Sequence, residues 1–490
     1  MDRDLPALDA AEDVAQGVEV EDVREALAVG LDEDRERAVP RRDLEQVGGP
    51  LALLPERRPG AGPATGQQER AAGVLTEARC EERGPADRFH NEILDLVSSW
   101  WTCTHGHSHS KLNAALAEQA ARFEHVMFAG FTHQPAVDLA TALAELLPGD
   151  LNRVFFSDDG STSVEVALKI AYQYWINVGE PRRQILVGFD GGYHGDTLGA
   201  MSLGRGSQMF SPFRDLMCKV VVLPCPATFE GDDAADEREA GAISAFEALL
   251  ADRGQSVAGL IIEPLLQGAG GMRLYRPSFL KRLLETARAM GVLVIFDEVA
   301  TGFGRTGTMF AMERASVVPD LVCLSKGLTS GYMPLAVTVA REAVFEAFLG
   351  NSFDRALPHG HSFTANPLAC AVALASLVLF EEEKTLQRIA RINKRHKTML
   401  AELAARPDVT RPRLIGSILA FEVKSAGGYQ SAESRALRDW YLAHGLNIRP
   451  LGPTIYLMPP YCITDEELSR AYAGLVEGLD ALASGALSRP

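Results

Sequence analysis

At 490 residues the chain is long enough for a large core and more than one domain, and 47% hydrophobic with 23% charged residues is ordinary for a soluble globular protein. A net charge of −17 argues against a nucleic-acid or anionic-membrane partner, since both select a basic surface. No apolar run approaches a membrane span, the acidic N-terminus has no leader pattern, and seven irregularly spaced cysteines without a CxxC pair fit reduced thiols, so a cytoplasmic protein is expected.

Residues 1–88 stand apart. They contain no Phe, Tyr, Trp, Ile, Lys, Ser, Asn or His, and 21 acidic residues against 12 Arg give them −9 of the total charge. Such a segment has little to bury against the entropy of ordering, which predicts a disordered acidic extension. The same composition is what GC-rich DNA gives when read in a wrong frame or from a misplaced start, so a non-native segment is the second expectation.

From Phe89 the composition becomes that of a folded enzyme. Ile93–Val97 reads as a short strand leading into Trp100-Trp101, an adjacent pair expected to point to opposite sides of an extended segment. Helices are predicted over Ser110–Phe123 and from Pro135 to Leu147. Strands then alternate with helical or glycine-rich segments: Val154–Ser157, Ile185–Phe189, Val220–Leu223, Gly259–Glu263, Val292–Asp297, Leu321–Ser325 and Leu335–Val339. This alternation predicts an α/β fold with a seven-stranded, mostly parallel sheet covered by helices. Gly231–Gly241 reads as a polar loop, and Asn366–Phe380 as an apolar helix. Beyond about Glu381 come a charged helix, strand-like pieces at Leu414–Phe421 and Ile455–Met458, and an amphipathic helix from Asp465 to about Leu482. The expected division is an extension at 1–88, the N-terminal part of a small domain at 89–150, a large domain at 151–385 and a C-terminal small α+β domain at 386–490.

In open α/β sheets the carboxyl ends of the strands face the ligand crevice. Asp297 and Lys326 both sit at such ends, with the turn Thr301-Gly-Phe-Gly-Arg-Thr-Gly307 between them. An acid and an amine aimed into one crevice suit pyridoxal phosphate: the lysine forms an imine, and the carboxylate keeps the pyridine nitrogen protonated. Ser157-Asp-Asp-Gly-Ser161 opens a helix whose free N–H groups suit a phosphate, or is an ordinary N-cap with a glycine turn; the acidic pair must point away for phosphate to bind. In Gly191-Gly-Tyr-His-Gly-Asp196 a Tyr or His can stack on an aromatic cofactor, or the segment is a structural turn. His359-Gly-His-Ser-Phe-Thr364 offers hydroxyls for a second phosphate edge. Arg449 suits a substrate carboxylate if it faces the site. His105, His107 and His109 alternate like metal ligands, but no carboxylate or cysteine cluster completes a set, so no metal is assigned. No GxGxxG follows the first strand, which disfavours a dinucleotide enzyme.

Together these pieces resemble the class III aminotransferases, of fold-type I pyridoxal phosphate architecture. The likeness runs from about Leu94 to Leu482 and rests on Gly191-Gly-Tyr-His-Gly-Asp196, Ile262-Glu-Pro-Leu-Leu-Gln-Gly-Ala-Gly-Gly-Met272, Asp297 with its glycine turn, and Asn366-Pro-Leu-Ala-Cys370. Ser98-Ser-Trp-Trp-Thr-Cys-Thr-His105 and Tyr456-Leu-Met-Pro-Pro460 are similar to the branch that makes 7,8-diaminononanoate from 8-amino-7-oxononanoate in biotin synthesis, with S-adenosylmethionine as amino donor. The resemblance implies that Lys326 binds the cofactor and shuttles the proton, Asp297 pairs with the pyridine nitrogen, Tyr193 stacks on the ring, and Gly160 and Ser161 hold the phosphate. It implies that Ser362 reaches the phosphate of a partner subunit in an obligate homodimer, that Trp100, Arg449 and Tyr456 contact substrate, and that Asp196 and Arg305 belong to the same site. The substrate-closing tyrosine that relatives carry ahead of the double Trp has no counterpart, since the first tyrosine is Tyr172. The alternatives are another class III ω-aminotransferase using lysine, a diamine or an ω-amino acid, and a non-catalytic protein of this fold acting through its dimer surface.

Overall fold

Seven strands form the central sheet: β1 (Leu151–Ser157), β2 (Ile185–Phe189), β3 (Val220–Leu223), β4 (Val257–Ile262), β5 (Leu293–Asp297), β6 (Leu321–Leu324) and β7 (Ala336–Arg341). Their spatial order is β1-β7-β6-β5-β4-β2-β3, and every pairing from β6 to β3 is parallel. Strand β7 runs antiparallel to both β6 and β1. The structure, a computed structural model, describes residues 74–75, 92–206, 208–424 and 431–487. By its contacts the chain divides into two units; of the described residues one holds only Met127–Thr132, and the other, treated below, holds the rest.

All seven expected strands are present. β4, β5 and β6 are buried along their whole length, which is why each is a continuous apolar run rather than an alternating one. The helix α1 (Gly160–Asn177) seals one face, with Val164, Ala167, Ile170 and Ala171 packed on Ile261, Ile295, Leu321 and Cys323. Each Val, Ile or Leu among them contributes about 1.5–3 kcal/mol on burial.

Around this layer lie two three-stranded sheets. One joins Val74–Leu75, Ile93–Asp95 and Leu446–Asn447; the other is Val409–Ile415, Ile418–Val423 and Thr454–Leu457. Apart from Val74–Leu75, which pairs antiparallel with Ile93–Leu94, the segment 1–88 and the reading made of it lie outside the described residues. The last helix, Asp465–Ala483, opens with a reciprocal cap between Thr464 and Glu467. Among the described residues no helix is long and apolar enough to cross a membrane.

Two local expectations are corrected. The predicted loop Gly231–Gly241 runs into a helix, Ala235–Arg253, anchored by buried Ala242, Ile243, Phe246 and Leu250. Its acidic start is stabilising, because Asp236 and Glu237 lie at the positive end of the helix dipole. The single strand-like piece at Leu414–Phe421 is a hairpin that reverses at Gly416-Ser417, where Gly416 takes φ +52° and a Cβ would meet the backbone of Thr306 at 2.4 Å.

Candidate active site

Because β2, β4, β5 and β6 are parallel, their carboxyl ends lie on one edge, and the segments leaving them open on one cavity of about 1240 Å³. Asp297 ends β5, Lys326 follows β6, Glu263 follows β4, and Gly191–Asp196 follows β2; all line that cavity.

Lys326 is held at φ +44°, a conformation that costs a non-glycine residue about 1–3 kcal/mol and is characteristic of functional positions. Its Nζ stands 4.7 Å from the centre of a Trp101 ring. Burial lowers the pKa of this amine; the negative charges of Asp297 and Glu263 oppose the shift, and Arg305 adds to it. More of the neutral, nucleophilic amine is therefore present at a given pH.

Asp297 is buried, receiving His194 Nδ1 on Oδ2 at 2.7 Å and the Val299 N–H on Oδ1 at 3.1 Å. Burial is the strongest influence and disfavours charge on His194, but the hydrogen bond to Asp297 together with the negative charges of Asp297 and Glu263 outweighs it and raises the imidazole pKa. His194 is therefore a donor to the acid rather than a stacking ring. Glu263 sits behind this pair, accepting the N–H groups of Tyr193 at 3.1 Å and Gly268 at 2.9 Å. Burial pushes its carboxyl up to about 7, with His194 opposing and Asp297 adding to the shift. Tyr193 directs its hydroxyl to Asp196 at 3.1 Å, and its ring lies nearly parallel to Phe210, 6.3 Å away.

At the start of α1 both members of the acidic pair, which border the cavity, are engaged by partners of their own. Asp159 folds back to cap the Thr162 N–H at 2.9 Å, and Asp158 turns to His361 Nδ1 at 3.4 Å. The first N–H groups of a helix have no partner inside it. Ser161 Oγ lies beside them, 2.7 Å from Thr197 Oγ1 and 3.0 Å from the Thr197 N–H. Gly160 packs so closely that a Cβ there would come within 2.7 Å of Val299 Cγ1. A hydroxyl-lined helix start, a buried acid and a pKa-lowered lysine on one cavity are the donor set that pyridoxal phosphate requires.

The double Trp is not extended. Ser98–Trp101 form one helical turn in which all four residues have positive φ, from +43° to +73°. Left-handed turns cost L-residues roughly 1–2 kcal/mol each, so surrounding contacts must hold this one. The turn still sends the rings apart. Trp101 is buried, its Nε1 donating to Tyr456 Oη at 2.9 Å, while Trp100 is 52% exposed with the Arg449 guanidinium 4.3 Å above its ring. Both Trp rings and Tyr456 line the cavity; Arg449 meets it only through Trp100.

Arg305 is fully buried, and its guanidinium donates to the carbonyls of Trp101, Cys103 and Pro459, each at 3.2 Å. It supports the Trp turn from behind and is not part of the cavity wall. Ser362 is exposed and does not line this chain's cavity, whereas Asp196 does. The alternating histidines go to separate partners: His105 to the Ser376 carbonyl, His107 to Asp95 and His109 to Glu383. Sequence reading missed Trp101 as the ring over Lys326, and missed Glu263 and Phe210. For Glu263 a signal existed, since it ends a predicted strand just as Asp297 does.

A profile of the class-III aminotransferase family matches residues 83–479, and the chain belongs to that family. Its cofactor is pyridoxal phosphate. The adenosylmethionine-8-amino-7-oxononanoate aminotransferase of Synechococcus elongatus is 50% identical over 392 residues, covering 80% of this chain and 91% of the relative. The enzyme of the same name from Geobacter sulfurreducens is 40% identical, covering 81% and 90%. Among solved structures, that aminotransferase from Methanocaldococcus jannaschii matches with a TM-score of 0.74 at 32% identity, covering 80% of this chain and 90% of that one. A PLP-bound amine transaminase from an uncultivated Pseudomonas species matches with a TM-score of 0.76 at 30% identity, covering 87% and 98%.

Proposed function

We propose that this chain transfers an amino group from S-adenosylmethionine to the ketone of 8-amino-7-oxononanoate, giving 7,8-diaminononanoate for biotin synthesis, and works as a cytoplasmic homodimer. The observation that carries the reading is the pairing of Trp101 with Tyr456 above Lys326, because both rings come from the sequence runs that mark the biotin branch. The 50% identity to the Synechococcus enzyme supports the same substrates.

Pyridoxal phosphate, when bound, supplies an electron sink that stabilises negative charge at the carbon losing its proton. Lys326 Nζ, whose charged form burial disfavours, would take that proton from the donor's α-carbon and hand it on within the same half-reaction, the reverse transfer serving the ketone substrate. Asp297 holds the protonated pyridine nitrogen, with His194 fixing the carboxylate's orientation. Tyr193 covers the ring, and Gly160 and Ser161 take the phosphate. Ser362, exposed here, completes the phosphate site of a second subunit. Trp100 and Trp101 give an aromatic wall that suits a sulfonium, and Arg449 suits a carboxylate of either substrate.

The test offers the purified holoenzyme 8-amino-7-oxononanoate with S-adenosylmethionine, lysine or β-alanine as donor, and measures 7,8-diaminononanoate by mass. Product with adenosylmethionine alone is expected. Product with lysine or β-alanine instead would establish the ω-aminotransferase reading, which the equal structural likeness to an amine transaminase favours.

A further inference from the structure

Asp95 is fully buried beneath the double-Trp turn. Its two carboxylate oxygens accept four hydrogen bonds. Oδ1 receives the Val97 N–H at 3.2 Å and Asn447 Nδ2 at 3.1 Å. Oδ2 receives Ser99 Oγ at 2.8 Å and His107 Nε2 at 2.9 Å. Only an ionised carboxylate can accept all four. The Ser99 bond grips the left-handed turn and the Val97 bond the residue just before it; the turn also ties Ser98 Oγ to the Met458 carbonyl at 2.7 Å. The Asn447 bond grips the strand Leu446–Asn447, two residues before Arg449. One buried charge thus ties together the segment carrying Trp100 and Trp101 and the segment carrying Arg449. His107 closes the cluster from the solvent side, its side chain 26% exposed.

We propose that Asp95, backed by His107, is a positioning residue for amino transfer: it holds the strained turn that sets Trp101 against Lys326 and Trp100 against Arg449. This assigns a role to one member of the alternating histidines, which face three different partners. The turn's positive φ values mean that it relaxes once the carboxylate is lost, and the two rings move with it. In Asp95→Asn the charge is lost, and the amide nitrogen either reverses the bonds to Ser99 Oγ and His107 Nε2, forcing a new hydroxyl rotamer and a new imidazole tautomer, or faces the Val97 and Asn447 N–H donors.

The proposal relies on the amino-transfer reading only for its kinetic readout, so the test carries a second readout that does not. In holoenzyme, Asp95→Asn and His107→Leu are compared with wild type for KM and kcat with 8-amino-7-oxononanoate, and for the ratio of tryptophan emission with and without pyridoxal phosphate. We expect KM to rise about tenfold or more, the loss of one charge-assisted bond, with kcat within about threefold. We also expect weaker quenching of tryptophan emission by the cofactor, with cofactor content unchanged. His107→Gln, which keeps an N–H donor, restores both values toward wild type. A merely structural role would lower kcat with the folded fraction and leave KM and the emission ratio unmoved; that result overturns the proposal. If Asp95→Asn does not fold, Ser99→Ala and His107→Leu read the same two quantities. Should the wild type fail to turn over this substrate, the emission ratio still decides for or against the positioning role.

Discussion

The proposed phosphate end of the site is most sharply tested by Gly195→Ala. Gly195 has φ +119°, where an L-residue is strained by about 1–3 kcal/mol. A Cβ there would lie 2.3 Å from Ser161 Oγ and 2.4 Å from Ser161 Cβ, far inside van der Waals contact. Overpacking of that kind costs about 1–3 kcal/mol more. The nearest relief moves Ser161 off Gly195, which breaks its bonds to Thr197 at 2.7 and 3.0 Å and carries the hydroxyl away from the start of α1. Binding the cofactor must then restore the strained arrangement. Taking about 2 kcal/mol of the total as paid on binding, at about 1.4 kcal/mol per tenfold, affinity for pyridoxal phosphate falls roughly thirtyfold. The assay titrates apoenzyme with pyridoxal phosphate by absorbance, beside Ser161→Ala, for which loss of one hydrogen bond to a charged phosphate predicts a decrease of about tenfold or more. If Gly195→Ala binds within about threefold of wild type while Ser161→Ala is weakened, the assumed strain is absent. If neither variant is weakened, Ser161 does not hold the phosphate.

Arg449→Met keeps the stem packed on Trp100 but removes the guanidinium, so KM for 8-amino-7-oxononanoate is expected to rise about tenfold to a hundredfold with cofactor affinity unchanged. An unchanged KM in steady-state assays would take Arg449 out of substrate binding. Glu298 is fully buried; burial raises its carboxyl to about 7, against hydrogen bonds from the Ala311 and Met312 N–H groups and Thr301 Oγ1. A carboxyl whose folded pKa exceeds its unfolded value of 4.5 contributes stability that is full below 4.5 and lost as pH rises through about 7. Wild-type stability in urea should therefore decline relative to Glu298→Gln between about pH 4.5 and 7.5, by up to roughly 3 kcal/mol. A pH-independent difference between the two would place the folded pKa near its ordinary value.

The strands were legible because β4, β5 and β6 are buried on both faces and therefore apolar throughout, a pattern that survives without knowledge of neighbours. Helix Ala235–Arg253 was hidden because its acidic first turn looks like a loop, and its apolar stripe shows only over a longer window. The hairpin at Gly416 was hidden because only two residues separate apolar Leu414-Ile415 from apolar Ile418–Phe421, so the two read as one run.

Sequence alone determined the parallel sheet, the acid and amine at strand ends and the glycine-opened helix, since each follows from local pattern and from the rule that parallel strands end on one edge. It also carried the likeness to class III aminotransferases. Tertiary structure alone decided which Trp stands over Lys326, that His194 serves Asp297 rather than stacking, and that Arg305 supports the site without lining it. Those assignments depend on partners far apart in the chain and, for the double Trp, on a left-handed backbone that no preference of Ser or Trp would predict.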